Sequence, residues 1–124
     1  MPDKKTIIYI EDNPTNLKLV EQLIKRKGDL DFLSATEPHR GIELITEHLP
    51  DLILLDINLP DMNGFEILEI LRNQDNTAAI PVIAVSANAM PSDLEKGMAA
   101  GFNAYITKPI NISDFYKQVE QFLA

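Results

Sequence analysis

The stretch DLILLD, residues 51–56, decides the fold: an unbroken apolar run, Leu52 to Leu55, ends in one carboxylate, Asp56. A continuous run, as opposed to an alternating one, is the pattern of a strand buried on both faces of a parallel sheet. Asn58, Leu59 and Pro60 head the loop that follows, which leaves Asp56 at the carboxyl end of the strand.

Four other apolar runs lie outward from this one: Ile7 to Ile10, Asp31 to Leu33, Val82 to Val85, and Ala104 to Ile106. Helical periods separate them. Leu17, Val20, Leu23 and Ile24 follow Pro14 and stop at Gly28, a good start and a good stop. Ile42, Ile45 and Leu49 form a second stripe closed by Pro50. Gly64, Ile67, Leu68 and Leu71 keep helical spacing. Pro91 to Ala100, closed by Gly101, is a weaker helix; Met90 before it and Met98, Ala99 and Ala100 within it read as core or a soft partner surface, with core preferred. Ser113 is the expected cap of a last helix with Ile112, Phe115, Val119 and Phe122 on its apolar face.

Strict β-α alternation predicts a single α/β domain over residues 1–124, with parallel strands, right-handed crossovers and helices on both faces. Five units are too few for a closed eight-fold barrel, so the expected architecture is an open doubly wound (βα)5 sheet in the order 2-1-3-4-5.

Composition removes several function classes. The chain has no cysteine, which excludes disulfides, thiolate metal sites and cysteine nucleophiles. Its two histidines, His39 and His48, sit in polar helical contexts unsuited to zinc. A net charge of −8 argues against direct nucleic-acid binding. Lys4-Lys5 and Lys25-Arg26-Lys27 read as solvated faces. With no apolar stretch near membrane-spanning length and no signal-peptide core, the chain reads as cytoplasmic. For the same reason the sequon at Asn111 carries little weight.

The polar residues that end the runs are more informative. They are Glu11 and Asp12 after the first, Asp56 after the third, Ser86 after the fourth, and Thr107, Lys108 and Pro109 after the fifth. In a parallel sheet these positions share the carboxyl edge, where open α/β sheets bind ligands. Strands one and three flank the crevice, so Glu11, Asp12 and Asp56 are expected together. Their mutual repulsion calls for a cation, and an all-oxygen donor set selects Mg²⁺, with Mn²⁺ as a substitute. Mg²⁺ is readily completed by a phosphate oxygen. Lys108 and the Ser86 hydroxyl then supply a cation and a donor for phosphoryl oxygens, and Asp56 a carboxylate nucleophile. Taken singly, Asp12 is more simply a helix cap, Ser86 a turn residue and Lys108 a solvated lysine. Their convergence on one edge favours the site.

The motifs Ile8-Tyr9-Ile10-Glu11-Asp12-Asn13-Pro14, Asp51 to Gly64, Pro81 to Ala87, and Lys108-Pro109-Ile110 together resemble the receiver (CheY-like) domain of two-component response regulators, over essentially the whole chain. The resemblance implies a flavodoxin-like fold and a phosphorylated Asp56, supplied by a sensor histidine kinase or a histidine phosphotransfer protein. It implies Mg²⁺ held by Asp12, by Glu11 mainly through water, by Asp56 and by the Asn58 carbonyl. Ser86 would be the switch hydroxyl, Tyr105 its aromatic partner, and Lys108 the phosphoryl contact, with a cis bond to Pro109. Asn58 and Asn88 would tune the rate of dephosphorylation. Output would pass through the fourth helix, fifth strand and fifth helix, in a monomer or a phosphorylation-dependent dimer.

Two other functions compete. An aspartyl-phosphate phosphohydrolase of the haloacid dehalogenase type would carry its nucleophile at the end of the first strand, with a second Asp two residues on. Here Asp56 ends the third run and Asn58 follows it. A flavin- or nucleotide-binding protein would need a glycine-rich loop after the first strand, where this chain has Glu11 to Pro14. Asp61 to Gly64 fails the spacing of a calcium loop.

Overall fold

Five βα units follow one another in the computed structural model, which describes residues 4–88 and 90–123. The expected domain limits Met1 and Ala124, and Ala89, lie outside the described residues. The strands are β1 (Lys5–Ile10), β2 (Leu30–Ala35), β3 (Leu52–Asp56), β4 (Val82–Ser86) and β5 (Ala104–Thr107). The helices are α1 (Pro14–Lys27), α2 (Pro38–His48), α3 (Gly64–Arg72), α4 (Pro91–Ala100) and α5 (Ile112–Leu123).

The sheet is parallel throughout in the order β2-β1-β3-β4-β5. This is the doubly wound flavodoxin-like arrangement, and every residue of β3 and β4 is buried. Alternation along each strand divides the core in two. Ile7, Tyr9, Leu52, Leu54, Ile83, Val85, Ala104 and Ile106 pack with residues of α1 and α5. Ile8, Ile10, Ile53, Leu55, Val82 and Ala84 pack with residues of α2 and α3.

Local signals fix the helix ends. Asn13, not Asp12, caps α1: its side chain accepts from the backbone amides of Thr15 and Asn16, with Pro14 in the first turn. Glu37 caps α2 through the amides of His39 and Arg40, and these bonds hold its carboxyl below the usual range.

Four expectations fail. Ser113 does not cap α5; the Asn111 side chain accepts from the Asp114 amide instead, and Ser113 lies inside the helix. Ile112, placed on the apolar face, is exposed as the first residue of α5, while Phe115 and Val119 of the same stripe are buried. Leu49 is exposed because it ends α2 in the left-handed region, at φ 46°, and the buried positions of α2 include Leu44 beside Ile45. Met90 and Met98 are 65% and 50% exposed, and Ala99 and Ala100 are exposed too, so α4 buries Gly97 and little else.

Candidate functional site

Two neighbouring strand ends bring the three carboxylates together. The ladder continues past β1, where the Glu11 amide donates to the Ala35 carbonyl at 3.0 Å, and Asp56 is the last residue of β3. One carboxylate oxygen from each of Glu11, Asp12 and Asp56 lies within 4.8 Å of the others. Glu11 and Asp56 are buried and Asp12 is exposed, so the cluster is open to solvent on the Asp12 side.

Lys108, just beyond β5, is the cation that answers this charge. Its amide donates to the Ser86 carbonyl at 2.8 Å, and its peptide bond to Pro109 is cis. Its Nζ lies 2.8 Å from Glu11 Oε1 and 3.3 Å from Asp56 Oδ2. The other Asp56 oxygen, Oδ1, accepts from the Asn58 amide at 2.9 Å. Burial pulls the Lys108 pKa down, but the bond to Glu11 and the charge of Asp56 outweigh it, and the net shift is upward. Glu11 is also pushed up, by burial first and then by Asp56, against the opposing pull of Lys108.

The bonding of Glu11 is lopsided. Oε1 accepts from the Tyr9 hydroxyl at 3.1 Å, the Asn16 side-chain amide at 2.9 Å and Lys108. Oε2 is the one buried side-chain polar atom without a hydrogen-bond partner among the described residues. A carboxylate with one orphaned oxygen, clustered with two more carboxylates, is what a hard cation satisfies. The residues present therefore fit a divalent metal with an oxygen donor set. Tyr9 and Asn16 escape a reading of the sequence in terms of strand ends. A same-face relation two residues apart linked Tyr9 to Glu11, but nothing in the sequence says where the hydroxyl of a strand tyrosine ends. Burial and the neighbouring Glu11 hold that phenol far above its ordinary pKa, so it remains a donor.

Among the described residues, neither the Ser86 hydroxyl nor the Tyr105 hydroxyl hydrogen-bonds a carboxylate of the cluster. Ser86 is fully buried, and its Oγ accepts from the Asn58 side-chain amide and the Asn88 backbone amide, both at 3.1 Å. The Tyr105 hydroxyl donates to the Asn88 carbonyl at 2.9 Å, and its ring lies against Gly97. Asn58, Asn88 and Tyr105 also line a cavity of about 430 Å³ between the β3-α3 loop and α4.

The chain is similar to known proteins over nearly its whole length. The response regulator receiver domain family matches residues 7–120. The polar-differentiation response regulator DivK of Brucella anthropi is 39% identical over 119 residues, covering 96% of both chains; DivK of Brucella ovis is 38% identical over the same length. Among solved structures, the chemotaxis response regulator CheY4 of Vibrio cholerae shares the fold, with a TM-score of 0.88 at 20% identity, covering 96% of this chain and 98% of that one. The receiver domain of sensor histidine kinase PA1611 from Pseudomonas aeruginosa PAO1 has a TM-score of 0.87 at 27% identity, covering 97% and 98% of the two chains, and carries a magnesium ion in its active site cleft. With a five-unit parallel fold, an acidic cluster at its carboxyl edge and a family match across nearly its whole length, this chain belongs to the response regulator receiver domain family.

Proposed function

We propose that the chain is a phosphorelay receiver that takes a phosphoryl group from a phosphohistidine onto Asp56. Receiver domains carry out their own phosphorylation and dephosphorylation and are not general turnover enzymes. The observation that carries the reading is the carboxylate cluster with Lys108 bridging Glu11 and Asp56. Glu11, Asp12, Asp56 and the Asn58 carbonyl would hold Mg²⁺ or Mn²⁺. The ion, when bound, offsets the charge of the carboxylates and of the incoming phosphoryl oxygens. An Asp56 oxygen attacks phosphorus, the P–N bond to histidine breaks, and an O–P bond forms. Lys108 and Ser86 meet the transferred oxygens.

Phosphorylation adds close to two negative charges, which draw Lys108 from Glu11 and Ser86 from the two asparagines. Tyr105 then turns into the space Ser86 leaves, and the surface of α4, β5 and α5 changes. Two states of one domain suffice, biased by a few kcal/mol. Exposed Met90, Met98 and Ile112 on and beside α4 and α5 supply apolar contact for an output partner or a second copy. The phosphodonor is a sensor histidine kinase or a histidine phosphotransfer protein, and Asn58 and Asn88 set the phosphoryl lifetime. Among the described residues no helix is long and apolar enough to cross a membrane.

Phosphoramidate or acetyl phosphate with Mg²⁺ should add one phosphate, seen by intact-mass spectrometry and absent in Asp56→Asn. A wild-type protein that stays unmodified would refute the assignment. Steady release of phosphate from monoesters, at about 1–10³ per second, would instead favour the aspartyl-phosphate phosphohydrolase.

A further inference from the structure

We infer that Tyr9 and Asn16 are positioning residues for the cation site, orienting Glu11 so that one carboxylate oxygen is saturated and the other is left for the metal. The inference rests on the cation reading of the acidic cluster and adds what sets its geometry.

The two oxygens of Glu11 have opposite environments. Three donors converge on Oε1: Tyr9 from within β1, Asn16 from the first turns of α1, and Lys108 from beyond β5. None reaches Oε2, although it is buried. A free carboxylate would rotate to share its donors between both oxygens, because a buried acceptor left bare is costly. The carboxylate is held in this orientation because its donors all lie on one side.

Tyr9 is the fixed member of the set. It is fully buried in the core against α1 and α5, on the same strand face as Glu11 two residues on. Its ring cannot move without disturbing that core, so its hydroxyl is a rigid reference point. Lys108 is the labile member, shared with Asp56 and partly exposed. When Lys108 turns to a phosphoryl group, Tyr9 and Asn16 still hold Oε1, and Oε2 keeps its direction. Partners of this kind behind a ligand govern metal affinity without touching the metal.

The test is calorimetric titration of MgCl₂ into the wild type, Tyr9→Phe, Asn16→Ala and Tyr116→Phe. Thermal melting of each metal-free protein is recorded alongside. Tyr116→Phe is the control, since it removes a tyrosine hydroxyl bond of similar length, 2.7 Å to the Leu23 carbonyl, between α5 and α1. Tyr9→Phe and Asn16→Ala should each weaken Mg²⁺ binding about tenfold, while Tyr116→Phe should bind as the wild type does. Wild-type affinity in Tyr9→Phe or in Asn16→Ala would overturn that residue's assignment. Equal weakening in Tyr116→Phe would overturn both, by tracing the loss to general loosening of the core. A wild type that takes up no Mg²⁺ would instead refute the cation reading, before any variant is compared.

Discussion

Asn58 holds Ser86 by its side chain, with the amide nitrogen 3.1 Å from the serine hydroxyl across 28 residues of sequence. The same residue holds Asp56 Oδ1 through its backbone amide. Asn58 thus ties Asp56 and Ser86 into one arrangement, and the Asn88 backbone extends it to Tyr105. Asn58→Ala removes the side-chain tie and leaves the backbone one. The loss of one hydrogen bond, about 1 kcal/mol, should raise the unphosphorylated population of the switched state roughly fivefold. Chemical shifts of residues around Ser86 and Tyr105 in the metal-free protein would move toward those of the phosphorylated wild type. Shifts unchanged from the resting wild type would mean that Asn58 is not a latch.

Glu11 costs the metal-free protein stability, and the cost has a sign in pH. Its folded pKa lies above the ordinary 4.5 because of burial and Asp56. The folded state therefore holds more protons than the unfolded state between those two values. Stability is accordingly greatest below the ordinary value and falls as pH rises through the folded one. Glu11→Gln cannot titrate, and its amide can keep the oxygen on Tyr9, Asn16 and Lys108 while its NH₂ takes the place of the unpartnered Oε2. Metal-free Glu11→Gln should be more stable than the wild type by about 1–2 kcal/mol at neutral pH, with the gap closing as pH falls. Urea unfolding across pH 4–8 (on the order of the carboxylate-to-neutral range) reads this directly. A gap that widens on acidification would reverse the argument. Weaker Mg²⁺ binding by the same variant would mark the strain as one kept for function.

Gly64 sits where a side chain has no room. A Cβ there would lie 2.8 Å from the Ile57 Cα and 3.1 Å from the Asp56 carbonyl oxygen, both backbone atoms. The Gly64 amide also donates to the Ile57 carbonyl at 2.9 Å, docking the start of α3 against the residue that follows Asp56. Gly64→Ala should cost about 1–3 kcal/mol through forced backbone movement and, on the proposed function, slow phosphorylation by phosphoramidate, since the displaced backbone is that of Ile57 and Asp56. Wild-type stability together with wild-type labelling would show that the loop yields freely.

The chain announces its sheet more clearly than its surfaces. Leu52 to Leu55 and Val82 to Val85 can be read as interior strands because no polar residue interrupts them, and both are wholly buried. The acidic edge follows, since parallel strands end on one side. What escaped depends on a choice between equivalent local signals. Asn111 and Ser113 are both competent caps and only the first is used; Ile112 keeps the spacing of the apolar stripe yet lies exposed at the start of the helix. In α4 the small residues give no strong period, so Met90 and Met98 could be assigned to the core when they face solvent. Two partners of Glu11, Tyr9 and Asn16, escaped because they depend on side-chain reach across α1 and β1, which spacing does not encode.

Arg72 offers a test of how separable the two edges of the sheet are. At the end of α3 its guanidinium reaches three acceptors: the Ile80 carbonyl at 2.8 Å, the Gly101 carbonyl at 3.2 Å and Asn103 Oδ1 at 2.9 Å. Asn103 Oδ1 also accepts from the Val82 amide, so the clamp joins the starts of β4 and β5 to the end of α4. These are the amino ends of the strands, opposite Asp56. A lysine presents one ammonium in place of a planar fork and cannot span three acceptors on two nitrogens. Arg72→Lys should therefore lose about 1–3 kcal/mol of stability in urea unfolding while its Mg²⁺ affinity stays at the wild-type value. An unchanged unfolding midpoint would mean that water replaces the guanidinium without loss. A fall in Mg²⁺ affinity would mean that the amino edge is mechanically coupled to the acidic cluster across the length of β4.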